Sequence, residues 1–370
     1  MPPRKRARKN DQKPTKKATS PQLASSPAAA KPLIPSGSNL RPIFEVPNEL
    51  WLEILSYFPS VRIPTMRIAD TPVLPSSTLA RQQALRTLSQ TCHTFRNRFL
   101  PELWDRFEVC TTPGQIEAPN AVTEILFGPS EDEFDIEVYS AWYKDISRAL
   151  ERKSNGLSTS PELAKLVHKV SVVLTRCSAV TVLGAFVRCL HALPNLHTLQ
   201  VLRAHTKMTT HLKNAFEGHK FPAVQTICLP DHAHNVLRSC PEVVNVICNN
   251  GDGSKLVSAI AKECKKVERL EGFRPDDKLM KRIIRAVPNM RQIQIGPNAE
   301  ILDMLSSAKH LQYIKIETGL PSLEDAMKDA DIIAGAKVAK RILREVRGSQ
   351  LGLRGRAIRP WTTELKVSTS

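Results

Sequence analysis

Three groupings of side chains in this chain could do chemistry. The first is Cys228-x3-His232-x-His234-x5-Cys240, since thiolate and imidazole are the ligands zinc prefers, but its spacing fits no zinc finger. The second is Gly251-Asp252-Gly253, where small residues could let backbone amides approach a phosphate. The later glycine and the lysine of a phosphate-binding loop are missing, so a turn is expected there. The third pairs Ser306 with His310 on one short helical segment, with no carboxylate placed to orient the imidazole as a nucleophilic triad needs. The reading that follows is of a non-catalytic chain with no metal ligands and no cofactor. The eight cysteines form no C-x-x-C pair and are expected to be small buried apolar residues rather than disulfides.

The elements that carry these residues repeat. Val167-x-x-Val170-x-Val172, Leu196-x-x-Leu199-x-Val201, Val224-x-x-Ile227-x-Leu229, Val243-x-x-Val246-x-Cys248, Val267-x-x-Leu270-x-Gly272, Met290-x-x-Ile293-x-Ile295 and Leu311-x-x-Ile314-x-Ile316 share one apolar template. Successive copies start 29, 28, 19, 24, 23 and 21 residues apart, the period of leucine-rich repeats, in which each unit supplies one strand and one helix or turn. Short helices are expected between copies, at 185–193, 211–216, 233–238, 256–264, 279–287 and 301–305. One unit cannot cover its own apolar side, so stacking into an α/β solenoid is expected over 162–318. The alternative is a doubly wound sheet of alternating strands and helices. The repeat is irregular and lacks the usual asparagine ladder. Residues between the apolar positions should face a partner or solvent: Lys169 and Ser171, then Thr198, Gln200, Thr226, Cys228, Asn245, Ile247, Arg269, Glu271, Gln292, Gln294, Tyr313 and Lys315. The polar and aromatic members from Thr198 onward, without Cys228 and Ile247, form the candidate target-binding face.

Upstream, residues 46–58 place Leu50, Ile54 and Phe58 at four-residue steps with Trp51 and Leu55 beside them, which predicts one short amphipathic helix opened by Pro47 and stopped by Pro59. Leu85, Leu88, Cys92, Phe95 and Phe99 predict a second, ended by Pro101, and Leu103-Trp104 with Phe107 makes a third apolar cluster. A bundle this small buries little surface and usually needs a partner. The order Pro47-x-Glu49-Leu50, Ile54-Leu55, Leu88-Ser89-x-x-Cys92, Phe95-Arg96 and Leu103-Trp104 resembles the F-box of fungal F-box proteins. The resemblance covers roughly 60 residues, with Val46 in place of the usual leucine and a Pro-rich insertion at 59–83 read as an exposed loop. It implies a three-helix module docking on a Skp-type adaptor, and through it a cullin, with adaptor contacts at Pro47, Leu50, Ile54, Leu55, Leu85, Leu88, Cys92, Phe95 and Trp104.

The formal net charge of +17 is concentrated at the ends. Residues 1–41 carry +9 and residues 331–370 carry +6, which leaves +2 for everything between. A protein gripping nucleic acid along its whole folded body would spread its cations along a folded face, so nucleic-acid contact is expected only non-specifically, through the tails. Arg4, Lys5, Arg6, Arg8 and Lys9 resemble a nuclear-import signal and point to the nucleus, the cytoplasm or both; polyanion contact and a solubilising tail stay open as other readings. The longest apolar run, 177–187, is too short to span a bilayer.

The expected organisation is a disordered basic tail at 1–42, an F-box at 43–110, a linker with a bracing helix near 141–153 within 111–161, the solenoid, and a capping helix with a basic mobile tail at 319–370. The cations of that last helix are expected to complement its dipole. The expected function is the substrate receptor of a Skp-cullin-F-box ubiquitin ligase acting on an unidentified protein target. The alternative is an F-box scaffold or chromatin-associated protein working outside a ligase.

Overall fold

The computed structural model describes residues 46–58, 76–110, 136–320, 322–354 and 362–366, and residues from Val46 onward form one compact unit. The basic tail with Arg4 to Lys9, most of the Pro-rich insertion, and the first part of the linker, 111–135, lie outside the described residues.

Nine strands form one open sheet in the order β1 to β9, every neighbouring pair parallel. They are β1 Arg106–Val109, β2 Lys169–Leu174, β3 Thr198–Ala204, β4 Thr226–Pro230, β5 Asn245–Asn250, β6 Arg269–Glu271, β7 Gln292–Ile295, β8 Tyr313–Glu317 and β9 Thr362–Lys366. The order never reverses, whereas a doubly wound sheet has a switch point where it must. Along the chain the helices are α1 Asn48–Ser56, α2 Ser76–Thr91, α3 His93–Trp104, α4 Ile136–Ser158, α5 Pro161–Ala164, α6 Ala179–His191, α7 Thr209–Phe216, α8 His234–Leu237, α9 Ser254–Glu263, α10 Asp277–Ala286, α11 Ala299–Asp303, α12 Leu323–Ala326 and α13 Ala330–Arg354. From α4 through α6 to α10 each helix of the crossovers packs on the next, so they share one side of the sheet. The architecture is therefore α/β with sequential coils, as an α/β solenoid has.

The template residues build the core. All three apolar positions of each copy are buried in one continuous cluster, apart from Gly272, which has no side chain to contribute. Burying each Val, Leu or Ile there is worth about 1.5–3 kcal/mol relative to exposure. Coil-to-coil register comes from the backbone. Just before each strand from β2 to β5, and again before β6 to β8, one carbonyl accepts two successive N–H groups of the next coil. The series runs Asp105, His168, His197, Gln225, Val244, Glu268 and Arg291, with distances of 2.8–3.2 Å. A carbonyl has two lone pairs, so one oxygen can satisfy both donors. This ladder does the work that an asparagine ladder would do. Asparagine side chains add to it, among them Asn249, which donates through Nδ2 to the carbonyls of Val201 and Leu202, at 2.9 and 3.2 Å, reaching from β5 to β3.

Several expectations about local structure are corrected. The second N-terminal segment is two helices, because Cys92 is extended and its Sγ accepts from the Phe95 N–H at 3.5 Å, capping α3. Pro101 does not end α3, which runs on to Trp104 and loses only one hydrogen bond to the proline ring. Helix α2 begins at Ser76, so the insertion read as loop to residue 83 is helical over its last residues. At the other end, where one capping helix was expected, Ser322 and Asp325 form a reciprocal cap on the four-residue α12. The basic residues belong to a separate helix, α13, whose start is capped by Asp329 accepting from the N–H groups of Asp331 and Ile332. That helix continues to Arg354 and the chain then returns to the sheet as β9, where a mobile tail was expected.

Candidate functional site

Helices α1 to α3 enclose a small core of Leu55, Leu85, Phe95 and Phe99, with Trp51, Phe58, Leu88, Cys92 and Leu103 packed against it. Trp51, Phe95 and Phe99 meet edge-to-face with ring centroids 5.3–5.7 Å apart, the geometry that pairs ring edges with ring faces. The Arg98 guanidinium lies 5.8 Å from the Trp51 ring centre. The bundle joins the sheet through α3 and β1: Gln82 of α2 donates to the Glu108 carboxylate, and Lys153 of α4 donates to the Glu108 carbonyl at 2.9 Å. Burial raises the pKa of Glu108 and lowers that of Lys153.

Helix α1 is apolar on two sides. Trp51, Leu55 and Phe58, at i, i+4 and i+7, face the small core. Leu50, Ile54 and Tyr57, at the same spacing one residue earlier, face solvent at 54%, 48% and 79% exposure. Pro47 is exposed beside them. Of the residues that the F-box resemblance implies as adaptor contacts, Leu50, Ile54 and Pro47 are thus at the surface. Leu88 and Cys92 are half-buried, and Trp104 packs against the main core. Leu55, Leu85 and Phe95 are buried, so their part is to hold the bundle that presents α1.

The face of the sheet turned away from the helices carries two rows. Lys169, Thr198, Thr226, Asn245, Arg269, Gln292 and Tyr313 are in register across β2 to β8. Ser171, Gln200, Cys228, Ile247 and Glu271 form the second row, and Gln294 with Lys315 continues it on β7 and β8. The rows differ in access. Thr226, Asn245, Gln292, Tyr313 and Lys315 are half-buried and Arg269 is exposed, whereas Thr198, Gln200, Glu271 and Gln294 are buried. Within the second row Ser171 donates to Gln200 Oε1 at 2.9 Å, and Gln294 donates to Glu317 at 3.0 Å. The surface that a partner could touch is therefore mainly the first row together with Lys315, which residue type alone did not indicate.

The other chemical groupings have structural roles. Cys228 lies on the sheet face away from the helices, Cys240 lies in the helix-covered core, and His232 Nε2 is 2.6 Å from the Ala204 carbonyl. Among the described residues no three His, Cys, Asp or Glu side chains come together as metal ligands would. Burial pushes Cys189, Cys248 and Cys264 up to about 12, and raises Cys110, Cys228 and Cys240 well above the usual thiol range, so these thiols are poor nucleophiles near neutral pH. Ser306 and His310 are both exposed.

Gly251 and Gly253 have φ of +93° and +88°. A Cβ at Gly251 would fall 2.7 Å from the Asp231 Cβ, and one at Gly253 would fall 2.2 Å from the Phe273 ring. The amides that a phosphate would use are already engaged: buried Asp231, on the preceding coil, accepts from the N–H groups of Lys255 and Leu256 at 2.8 and 3.2 Å. Asp231 therefore caps α9 across the coil boundary. Asp231→Ala is expected to cost about 2 kcal/mol, the upper range for losing a helix cap, and Asp231→Asn less. Equilibrium urea unfolding checks this.

Among the described residues, no helix is long and apolar enough to cross a membrane. Protein-family models give no match to this chain, and the curated proteins give none either.

Proposed function

We propose that this chain is the substrate-recognition subunit of a Skp-cullin-F-box type ubiquitin ligase, working in the nucleus, the cytoplasm or both. In this reading α1 to α3 are the F-box. Leu50 and Ile54 insert into an apolar groove of a Skp-type adaptor, and a cullin joins through that adaptor. The outward stripe of Leu50, Ile54 and Tyr57 carries the reading. A nine-residue helix already satisfied on its inner side has no folding reason to keep a second apolar side in water. Covering Leu50 and Ile54 on docking would contribute roughly 1 kcal/mol each, about half of what full burial gives such side chains.

The strand face away from the helices is the proposed surface for a protein target, with Thr226, Asn245, Arg269, Gln292, Tyr313 and Lys315 as its reachable members. The sheet then acts as a leucine-rich-repeat-like solenoid. Holding the target beside a ubiquitin-charged enzyme would accelerate transfer by proximity, and the reactive cysteine would belong to other subunits.

Affinity purification of the wild-type chain and of Leu50→Glu/Ile54→Glu tests the proposal. Adaptor and cullin are expected with the wild type only. Their absence from both samples, or equal recovery in both, overturns it.

A further inference from the structure

Helix α13 buries Ile332, Gly335, Ala339, Ile342, Leu343 and Val346. Well away from that side, Lys337, Lys340, Arg344 and Arg347 follow one another at intervals of three, four and three. All four are exposed. At a rise of 1.5 Å per residue they form a stripe about 15 Å long. None of the four is in an ion pair among the described residues, whereas Arg341 beside them is held by Asp303 and Glu345. Some other exposed cations are matched, as in Lys165 with Glu162, Lys266 with Glu242 and Arg291 with Glu268, while others, such as Lys213, stand in no ion pair among the described residues.

The helix dipole does not account for this stripe. Its influence fades beyond the last turn, and α13 extends to Arg354, so Lys337 and Lys340 sit in mid-helix. Like charges three and four residues apart on a helix destabilise it, so the stripe opposes folding in the isolated protein. A second set of exposed cations, Lys278, Lys281 and Arg285, lies on α10 in the same helical layer. The segment Met304–Ser307 packs against both helices.

We infer that the α13 stripe docks on the phosphate backbone of duplex nucleic acid. Evenly spaced cations without hydrogen-bonding neighbours suit a ligand that is itself an evenly charged rod. No large apolar side chain is exposed along the stripe, as insertion into a membrane surface would require. It also has no aromatic anchor of the kind that dominates protein interfaces. This inference is independent of adaptor docking, which uses the other end of the chain.

The test is fluorescence anisotropy of a labelled random-sequence duplex of about 20 base pairs with the full chain, from 50 to 200 mM salt. The comparison is with Lys337→Gln/Lys340→Gln/Arg344→Gln/Arg347→Gln. Four phosphate contacts contribute a salt slope of about −3.6, so wild-type affinity should fall about 100-fold more than that of the variant over this range. The variant should keep or slightly raise its thermal unfolding midpoint, because the replaced side chains are exposed and their mutual repulsion is removed. Equal slopes, or variation traced entirely to deletion of residues 1–41, overturn the inference. Tighter binding to anionic lipid vesicles or to an acidic polypeptide than to the duplex also overturns it.

Discussion

Gly272→Ala is expected to cost about 4 kcal/mol, in the range reserved for strained backbone combined with overpacking, and to lower Tm by about 10 °C. The residue has φ of +74°, where an L side chain is disfavoured by about 1–2 kcal/mol. A Cβ there would sit 2.1 Å from the Cys248 carbonyl oxygen of the neighbouring coil, which is backbone and cannot swing aside. Gly218 supplies the control. Its φ is +79° and a Cβ would meet nothing within 4 Å, so Gly218→Ala should cost only about 1 kcal/mol, for backbone strain alone. Thermal denaturation of both variants separates the two terms. Equal losses would mean that the close approach of β5 and β6 contributes nothing.

The second large effect is on association. Leu50→Glu/Ile54→Glu puts two carboxylates where an apolar groove would have to receive them, and is expected to weaken adaptor binding at least 100-fold, since an unpaired buried charge costs several kcal/mol. Both side chains are about half exposed, so the unfolding midpoint should move little. Phe99→Ala reverses the pattern. Phe99 is buried and packs edge-to-face on Trp51 and Phe95, and its truncation should cost about 3–5 kcal/mol of stability. Binding would then fail because α1 loses its support. Calorimetry of unfolding run beside a binding titration distinguishes the cases.

Much of the sheet was legible because the template positions depend only on alternation and repeat length. Val170, Leu199, Ile227, Val246, Leu270, Ile293 and Ile314 are all buried as the pattern requires. The helices between copies also fall where apolar spacing placed them, with ends that move by one or two residues, except that α6 begins at Ala179, six residues earlier than expected. Three things were not legible. Gly272 reads as a lapse in the template, and only the approach of Cys248 explains it. Asp231 caps a helix 24 residues downstream, a pairing invisible to local spacing. β9 was missed because Thr362-Thr363-Glu364-Leu365-Lys366 is polar and short, and its place is set by pairing with β8. At the candidate docking surface the sequence grouped Leu50, Ile54 and Phe58 on one apolar face. The folded helix instead divides its apolar residues into an inner stripe with Phe58 and an outer stripe with Tyr57, because Phe95 and Phe99 fix its rotation.

The most direct measurement is titration of a purified Skp-type adaptor into the purified full chain, read by calorimetry and by co-elution. The account predicts a one-to-one complex with the wild-type chain and none with Leu50→Glu/Ile54→Glu at the same concentrations. A wild-type chain that stays separate from the adaptor, or a double variant that binds as tightly as the wild type, would contradict it.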